Sequence, residues 1–375
     1  MKLGVFIHPY RCAEPCGGVG RHANFIVGGL SRRMGWKVTV TAARDFLTKE
    51  GDIPASVPLQ AISTLALPSP GLWRERLWKA VGWPKLDRYC RDFDFVYSPM
   101  ETRLPLSRVP WGVTIHDVQA LEVDLPWSHT SQHRRFRQRW MTWIPKVLRE
   151  ARLIFTVSEF SKGRLVSLLG AEATRVVVVG NGVDERFFEV GHRRNDGGGL
   201  VVGQPATVLV VGGLRKKKGA DYVLGVAAEL MRRRASVRLV VAGPNEAAYA
   251  ARARDLPNME LVGNVSDEKL FEAFFRAAAL LFLSPYEGFG MPVIEAMAAG
   301  VPVVSAGRAA LPEVTGGAGL LVDPEVPELV ADALLDLIAD RERYRLLIDA
   351  GKRRAQEFTW DRCVERVATA IRQAV

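Results

Sequence analysis

Two glutamates, Glu287 and Glu295, stand eight positions apart in the stretch SPYEGFGMPVIEAMAAGVPVVS at 284–305, with Gly288, Gly290 and Pro292 between them. Carboxylates so placed can accept hydrogen bonds from the vicinal hydroxyls of a sugar or ribose. The glycines and the proline forbid one continuous helix through both. The pattern predicts a glycine loop that turns into a short helix near Pro292, ended by Gly300, with Val301–Val304 as a buried strand. Glu287 then lies on the loop and Glu295 in the first helical turn. Free N–H groups at such a helix start can hold phosphate, so anion donors and hydroxyl acceptors meet in a way that suits a nucleotide sugar. Ser284 with Glu287 also fits a capping box, and spacing alone leaves both readings open.

Other segments repeat the theme. Gly17-Gly18-Val19-Gly20-Arg21 follows a first apolar run and opens an amphipathic helix ending near Gly35, a turn whose backbone could approach a pyrophosphate or could simply be tight. Gly212-Gly213-Leu214-Arg215-Lys216-Lys217-Lys218-Gly219 puts cations at a helix start, where the dipole disfavours them unless something anionic binds there. Thr114-Ile115-His116-Asp117 ends an apolar run, and a lone histidine there reads equally as a structural residue.

The elements that must position these residues are short apolar runs alternating with helical stretches. In the first half the runs are Leu3–Ile7, Val38–Thr41, Phe95–Tyr97, Val113–Ile115, Ile154–Val157 and Val176–Val179. In the second they are Thr207–Val211, Val237–Ala242, Glu260–Val262, Leu280–Leu283 and Val301–Val304. Such alternation implies an α/β chain of two doubly wound, Rossmann-like domains, each built on a parallel sheet. Ligands of such sheets bind beyond the carboxyl ends of the strands, which is where every motif above falls. The glycine-rich polar stretch within 191–205 reads as a linker. The expected division is therefore 1–190, a linker at 191–205, 206–357, and a terminal helix over 358–375.

Length and composition agree with an ordinary globular protein: 375 residues, 48% hydrophobic and 25% charged. Four scattered cysteines argue against a disulfide framework and fit a reducing compartment. The longest apolar run, Ala277–Leu283, is far short of a membrane span, and Leu3–Ile7 reads as a strand rather than a leader. The expected location is the cytoplasm. Residues 1–195 hold 29 Lys+Arg against 18 Asp+Glu, a balance of +11, whereas 196–375 hold 22 against 23. A basic first half expects an anionic partner.

The 284–305 stretch resembles the E-x7-E signature of retaining, nucleotide-sugar-dependent glycosyltransferases of family 4. Its flanks, Leu311-Pro312-Glu313-Val314 and Gly319-Leu320-Leu321-Val322-Asp323-Pro324, resemble that family too. The resemblance implies the GT-B fold, two Rossmann-like domains across a cleft, with the acceptor on the first domain, the donor on the second and the last helix crossing back. Carried onto this sequence, it makes Glu295 a ribose contact and Glu287 a grip on the sugar hydroxyls. The amides of Phe289 and Gly290 would border the sugar and phosphates, with Gly288 and Met291 also in the donor-binding set. Lys218 would stabilise the leaving diphosphate. Gly17 and Gly18 would face the donor phosphates, Gly243 and Val265 would line the base pocket, and His116 would touch the donor sugar or its acceptor. The catalytic set it implies is Glu287, Lys218 and His116. The family often carries an arginine where this chain has Gly213, so Arg215, Lys216 and Lys217 are the candidates for a second cation.

The same resemblance leans toward the mannosyltransferase-like branch and makes GDP-mannose the first donor. The implied reaction is metal-independent transfer to a glycan or lipid-linked acceptor in cell-surface polysaccharide or lipopolysaccharide synthesis, with no cofactor beyond the nucleotide sugar itself. Two other classes stand beside it: a nucleotide-sugar epimerase or isomerase on the same fold, and a non-catalytic nucleotide-sugar-binding protein.

Two metal signals are set aside. Asp92-Phe93-Asp94 lies before a strand rather than after one, and His129 with His133 lacks an acidic third ligand. Two basic, tryptophan-rich stretches, 72–91 and 134–149, have the composition of a membrane-surface helix. Trp73, Arg74, Trp78, Lys79, Arg134 and Arg135 are the candidate acceptor or membrane surface, with peripheral contact at the inner face of an anionic membrane. The competing reading is a tryptophan core under solvated charges. No nucleic-acid signature accompanies the charge.

Overall fold

A computed structural model describes residues 1–14, 16–68, 71–194, 199 and 203–375. The chain forms two compact units: Met1–Val123 with Ser128–Gly182 and Trp360–Val375, and Val183–Thr359 with Asp124–Trp127. The strands of the first are β1 (Lys2–Phe6), β2 (Lys37–Ala43), β3 (Ser63–Leu67), β4 (Phe95–Ser98), β5 (Trp111–Thr114), β6 (Leu153–Thr156) and β7 (Val176–Val178). Those of the second are β8 (Ala206–Val211), β9 (Val237–Ala242), β10 (Met259–Gly263), β11 (Ala279–Phe282), β12 (Val303–Ala306) and β13 (Leu320–Val322).

Every strand pairing between these elements is parallel. The orders are β3-β2-β1-β4-β5-β6-β7 and β10-β9-β8-β11-β12-β13, so each unit is a doubly wound sheet. Central strands such as β4, β5, β11 and β12 are buried at every position, which is why they read as unbroken apolar runs. Sequence order reverses between β1 and β4 in the first sheet and between β8 and β11 in the second. Those reversals open the crevices where open α/β sheets take ligands.

The expected division at 190 is corrected. The second unit begins at Val183, because helix Glu185–Arg193 packs within it: Phe187 sits edge-on to Phe271 and Phe274, with ring centroids at 4.8 and 5.2 Å. The start of the expected linker is corrected with it. A Cβ on Gly191 would lie 2.2 Å from the Ala298 carbonyl oxygen, so two helices cross there in close contact. Arg194 is buried and donates to the carbonyls of Phe274 (2.6 Å) and Ala277 (2.8 Å). Residues 195–198 and 200–202 of that stretch lie outside the described residues. The last helix, Trp360–Ala374, belongs to the first unit, where Trp360 stacks on Phe25 at 4.6 Å.

Candidate functional site

In the second unit the loops after β8, β9, β10 and β11 carry nearly all the expected donor residues. β8 runs into Gly212 and Gly213, whose N–H groups both donate to the Ala242 carbonyl, at 2.8 and 3.0 Å. Gly243 N donates to the Gly263 carbonyl at 2.7 Å, and Leu214 N to Asn245 Oδ1 at 2.7 Å. The ends of β8, β9 and β10 are thereby laced into one shelf, with half-buried Val265 on the last of these loops. The lacing explains Gly213. Its φ is +73°, and a Cβ there would stand 2.0 Å from the Pro244 carbonyl oxygen.

Past the shelf, Lys216–Lys218 form a single 3-10 turn ending at Gly219, whose φ of +77° starts helix Ala220–Arg232. A Cβ on Gly219 would meet the Leu283 carbonyl oxygen at 2.2 Å, so only glycine lets this turn press against the end of β11. The turn therefore meets the loop that follows β11. Lys218 Nζ donates to Glu287 Oε1 at 2.5 Å and stands 5.8 Å from the Phe282 ring centroid. Ser284 Oγ donates to the Lys217 carbonyl at 3.2 Å, a use of that hydroxyl other than capping. Lysine and glutamate, 69 residues apart, thus share one place at the reversal between β8 and β11.

The remaining candidates sort by burial. Lys216 and Lys217 are exposed, whereas Arg215 is half-buried and its Nε donates to the Gly212 carbonyl at 3.0 Å. Gly290 opens helix Met291–Ala298 with a left-handed φ, and Gly288 is buried beside half-buried Glu287. Phe289 turns its ring into the unit, edge-on to Phe358 at 5.6 Å, which leaves its amide as the group that could face a ligand. One placement is corrected. The helix starts beside Pro292 as expected, at Met291, which makes Glu295 its fifth residue, just past the first turn; that residue is only 3% exposed.

The first unit brings another set to the carboxyl edge of its sheet. His116, after β5, is 8% exposed; its backbone N donates to Glu101 Oε1 (3.2 Å) and its Nε2 lies 3.0 Å from the Pro99 carbonyl. A carbonyl only accepts, so Nε2 carries a proton. Burial opposes ionisation of Glu101, but His116, Arg11 (3.6 Å away) and backbone N–H groups outweigh it and hold its pKa below the usual carboxylate value. Gly17 caps helix Gly18–Arg33, and both glycines are exposed.

Sequence reasoning missed two members of this set, Glu101 and His22. Glu101 follows the end of β4 as His116 follows β5, a regularity that could have found it. His22 is fully buried, edge-on to His116 at 4.7 Å, with Nδ1 2.8 Å from Asn181 Oδ1. Burial first, then the neighbouring His116, pushes its pKa down to about 3, against the pull of the Asn181 hydrogen bond. The sign follows. Between pH 6.5 and about 3 the unfolded chain binds a proton that the folded one refuses, so stability falls as pH drops through that window. In urea melts at pH 7 and pH 5, His22→Gln should lose less stability on acidification than wild type. An equal loss in both proteins would remove His22 from the account.

The candidate surface on the first unit also needs a correction. Trp78 is 3% exposed and sits edge-on to Phe6 at 5.6 Å, so it is core. It shares the inner face of helix Gly71–Val81 with Glu75, which is buried. Burial raises the Glu75 pKa, but His8 (3.2 Å) and Lys79 (2.5 Å) outweigh it and bring the value to about 2. Lys79 is therefore committed to an ion pair. Trp73, Arg134 and Arg135 are exposed and Arg74 half-buried. Asp94 accepts from Lys2 N at 2.7 Å at the amino-terminal edge of the sheet, away from the ligand edge. Among the described residues no three His, Cys, Asp or Glu side chains gather as metal ligands, and no helix is long and apolar enough to cross a membrane.

The chain matches two family descriptions, "Glycosyltransferase Family 4" over residues 16–187 and "Glycosyl transferases group 1" over 195–354. Across 296 residues it is 26% identical to the O-antigen chain mannosyltransferase B of Escherichia coli, covering 75% of each. It is 33% identical over 238 residues to a D-inositol 3-phosphate glycosyltransferase of Nocardia farcinica, a match covering 59% of this chain and 52% of that one. The chain thus spans about half the length of that relative. Among solved structures, sucrose-phosphate synthase from Thermosynechococcus elongatus superposes with a TM-score of 0.75 at 19% identity, covering 100% of this chain and 98% of the other. Anabaena HepE in complex with UDP-glucose gives 0.72 at 17% identity, with both chains covered in full. At such identities these two structures report on the fold.

Proposed function

Because this chain belongs to the family-4 glycosyltransferases of the GT-B class, we propose that it moves a sugar, with retention and without a metal ion, from a nucleotide diphosphate to a hydroxyl of a glycan or lipid-linked acceptor. The observation that carries this reading is the meeting of Lys218 and Glu287 at the reversal of the second sheet. A lysine Nζ and a carboxylate at one point offer a cation for phosphate oxygens and an acceptor for sugar hydroxyls. Donor binding would exchange the ion pair for those two contacts.

In this reading the leaving diphosphate gains charge as the glycosidic bond breaks, and preorganised cations lower that barrier. Lys218 is the principal one, and Arg215, steadied by the Gly212 carbonyl, is the second. The acceptor hydroxyl attacks from the leaving group's own face, and its proton passes to a phosphate oxygen of the departing diphosphate. Glu287 grips the sugar and Glu295 the ribose. His116 offers its other ring nitrogen, Nδ1, as the hydrogen-bonding group for a substrate hydroxyl, while Glu101 fixes its backbone. GDP-mannose is the first donor, supported by the likeness to the Escherichia coli mannosyltransferase. A lipid-linked acceptor would place the reaction at the cytoplasmic face of a membrane.

The test is thermal unfolding with GDP, UDP and dTDP in turn. The cognate diphosphate stabilises the fold by mass action, by about 2.7 kcal/mol at a hundred times its dissociation constant. GDP should give the largest rise in Tm. A larger rise with UDP would move the donor, and no rise with any of the three would sink the nucleotide-sugar reading.

A further inference from the structure

The first unit carries a surface that sugar transfer does not use. Helices Gly71–Val81 and Ser131–Glu150 lie side by side, joined by Lys146 Nζ donating to the Ala80 carbonyl at 2.6 Å and by Lys79 over the Trp143 ring at 4.8 Å. Between them runs a groove of about 450 Å³, lined among others by Arg76, Arg139, Phe136, Trp140 and Trp143. The second helix holds Arg134, Arg135, Arg137, Arg139, Lys146 and Arg149 against one acid, Glu150, and Arg103 already pairs with Glu150. Glu75 of the first helix is buried and neutralised by His8 and Lys79. Among the described residues no carboxylate pairs with Arg76, Arg134, Arg135, Arg137 or Arg139.

Apolar side chains accompany those unpaired cations. Leu72 is 50% exposed, Trp73 55%, Val81 66% and Trp83 62%, all within or just after the first helix, and Phe136 on the second is 41% exposed. Single exposed apolar residues need no explanation, but several large ones beside uncompensated arginines do. Arginines facing phosphates with tryptophan and phenylalanine at the same level is the chemistry of a headgroup layer. Double-stranded nucleic acid would satisfy the arginines and leave the exposed tryptophans in water.

We propose that this two-helix surface docks the protein on an anionic phospholipid bilayer, with Arg76 and Arg139 on headgroup phosphates and Trp73, Trp83 and Phe136 in the interfacial layer. The inference deepens the lipid-linked acceptor reading, yet its test involves no sugar chemistry.

Full-length protein is floated with phosphatidylcholine vesicles, with and without phosphatidylglycerol, at low and high salt. It should float with the anionic vesicles alone and be released by salt. Arg76→Glu with Arg139→Glu should lower partitioning roughly tenfold or more, since each charge near an anionic leaflet counts for about one such step or slightly less. Trp73→Ser with Trp83→Ser should also lower it while preserving the salt response. A charge-matched reversal on the second unit, Lys269→Glu with Arg353→Glu at exposed positions, should leave it unchanged. No flotation at low salt, equal losses in both charge-reversed proteins, or preference for duplex DNA over vesicles would each overturn the assignment. The diphosphate-induced rise in Tm, measured on the same variants, shows that they are folded. It also separates failure of this surface from failure of the nucleotide-sugar site.

Discussion

Replacing Lys218 with alanine should slow glycosyl transfer roughly a hundredfold to a thousandfold, the range found when one preorganised electrostatic donor is taken from a transition state. Three features make this lysine the sensitive point. Its ammonium sits at the reversal of the second sheet and reaches a carboxylate 69 residues away. Its turn is held against the end of β11 by Gly219, so the charge is delivered from a fixed place. Its side chain is also partly shielded from water, about a quarter exposed at 27%, which strengthens its field on a bound diphosphate. Charge builds on the leaving group as the bond breaks, so kcat should fall further than KM rises. Lys218→Arg keeps the charge but replaces a point cation by a planar fork, and should recover only part of the rate. Initial rates with the donor identified by thermal shift decide the matter. A near wild-type kcat in folded Lys218→Ala would mean that the leaving group is stabilised elsewhere.

The same place shows how far the sequence was legible. The glycine loop, the short helix after it and the strand positions follow from apolar runs and breakers, because backbone sterics and burial act locally. β3 (Ser63–Leu67) and β13 (Leu320–Val322) escaped that reading: each closes an edge of its sheet, is only partly buried and carries a weak or very short apolar pattern. Trp78 and Trp73 have the same composition around them, and only the rotation of the helix decides that one is core and the other exposed. The depth of Glu295 likewise comes from the enclosure of its helix, buried from Val293 to Ala298, which a proline signal does not report. The Lys218–Glu287 contact was not visible in local pattern at all. It arises from sheet order, which places β11 beside β8 although two strands intervene in sequence.

Gly213 provides the second large effect, and here sequence resemblance and structure give opposite expectations. Resemblance suggests that Gly213→Arg would restore a cation common in the family and improve transfer. The backbone predicts loss. At φ +73° a side chain meets its own peptide, a strain of about 1–2 kcal/mol. A Cβ 2.0 Å from the Pro244 carbonyl oxygen cannot be relieved by rotating the side chain, because both atoms are fixed by backbone. The turns after β8 and β9 would have to separate, straining the bonds from Gly212 and Gly213 to Ala242 and from Gly243 to Gly263. Overpacking of this kind adds about 1–3 kcal/mol. Urea melts of Gly213→Arg should show a midpoint lower than wild type by the sum of these costs, together with loss of the diphosphate-induced rise in Tm. Gly213→Ala should reproduce most of the destabilisation, since the clash begins at Cβ, whereas Arg215→Ala should leave the fold intact and lower the rate. That outcome would leave the proposed second cation two residues later, at Arg215, which is braced by the Gly212 carbonyl while the close approach of the two turns is kept. A Gly213→Arg protein that melts like wild type and transfers faster would show that the shelf can open, and would return the second cation to position 213.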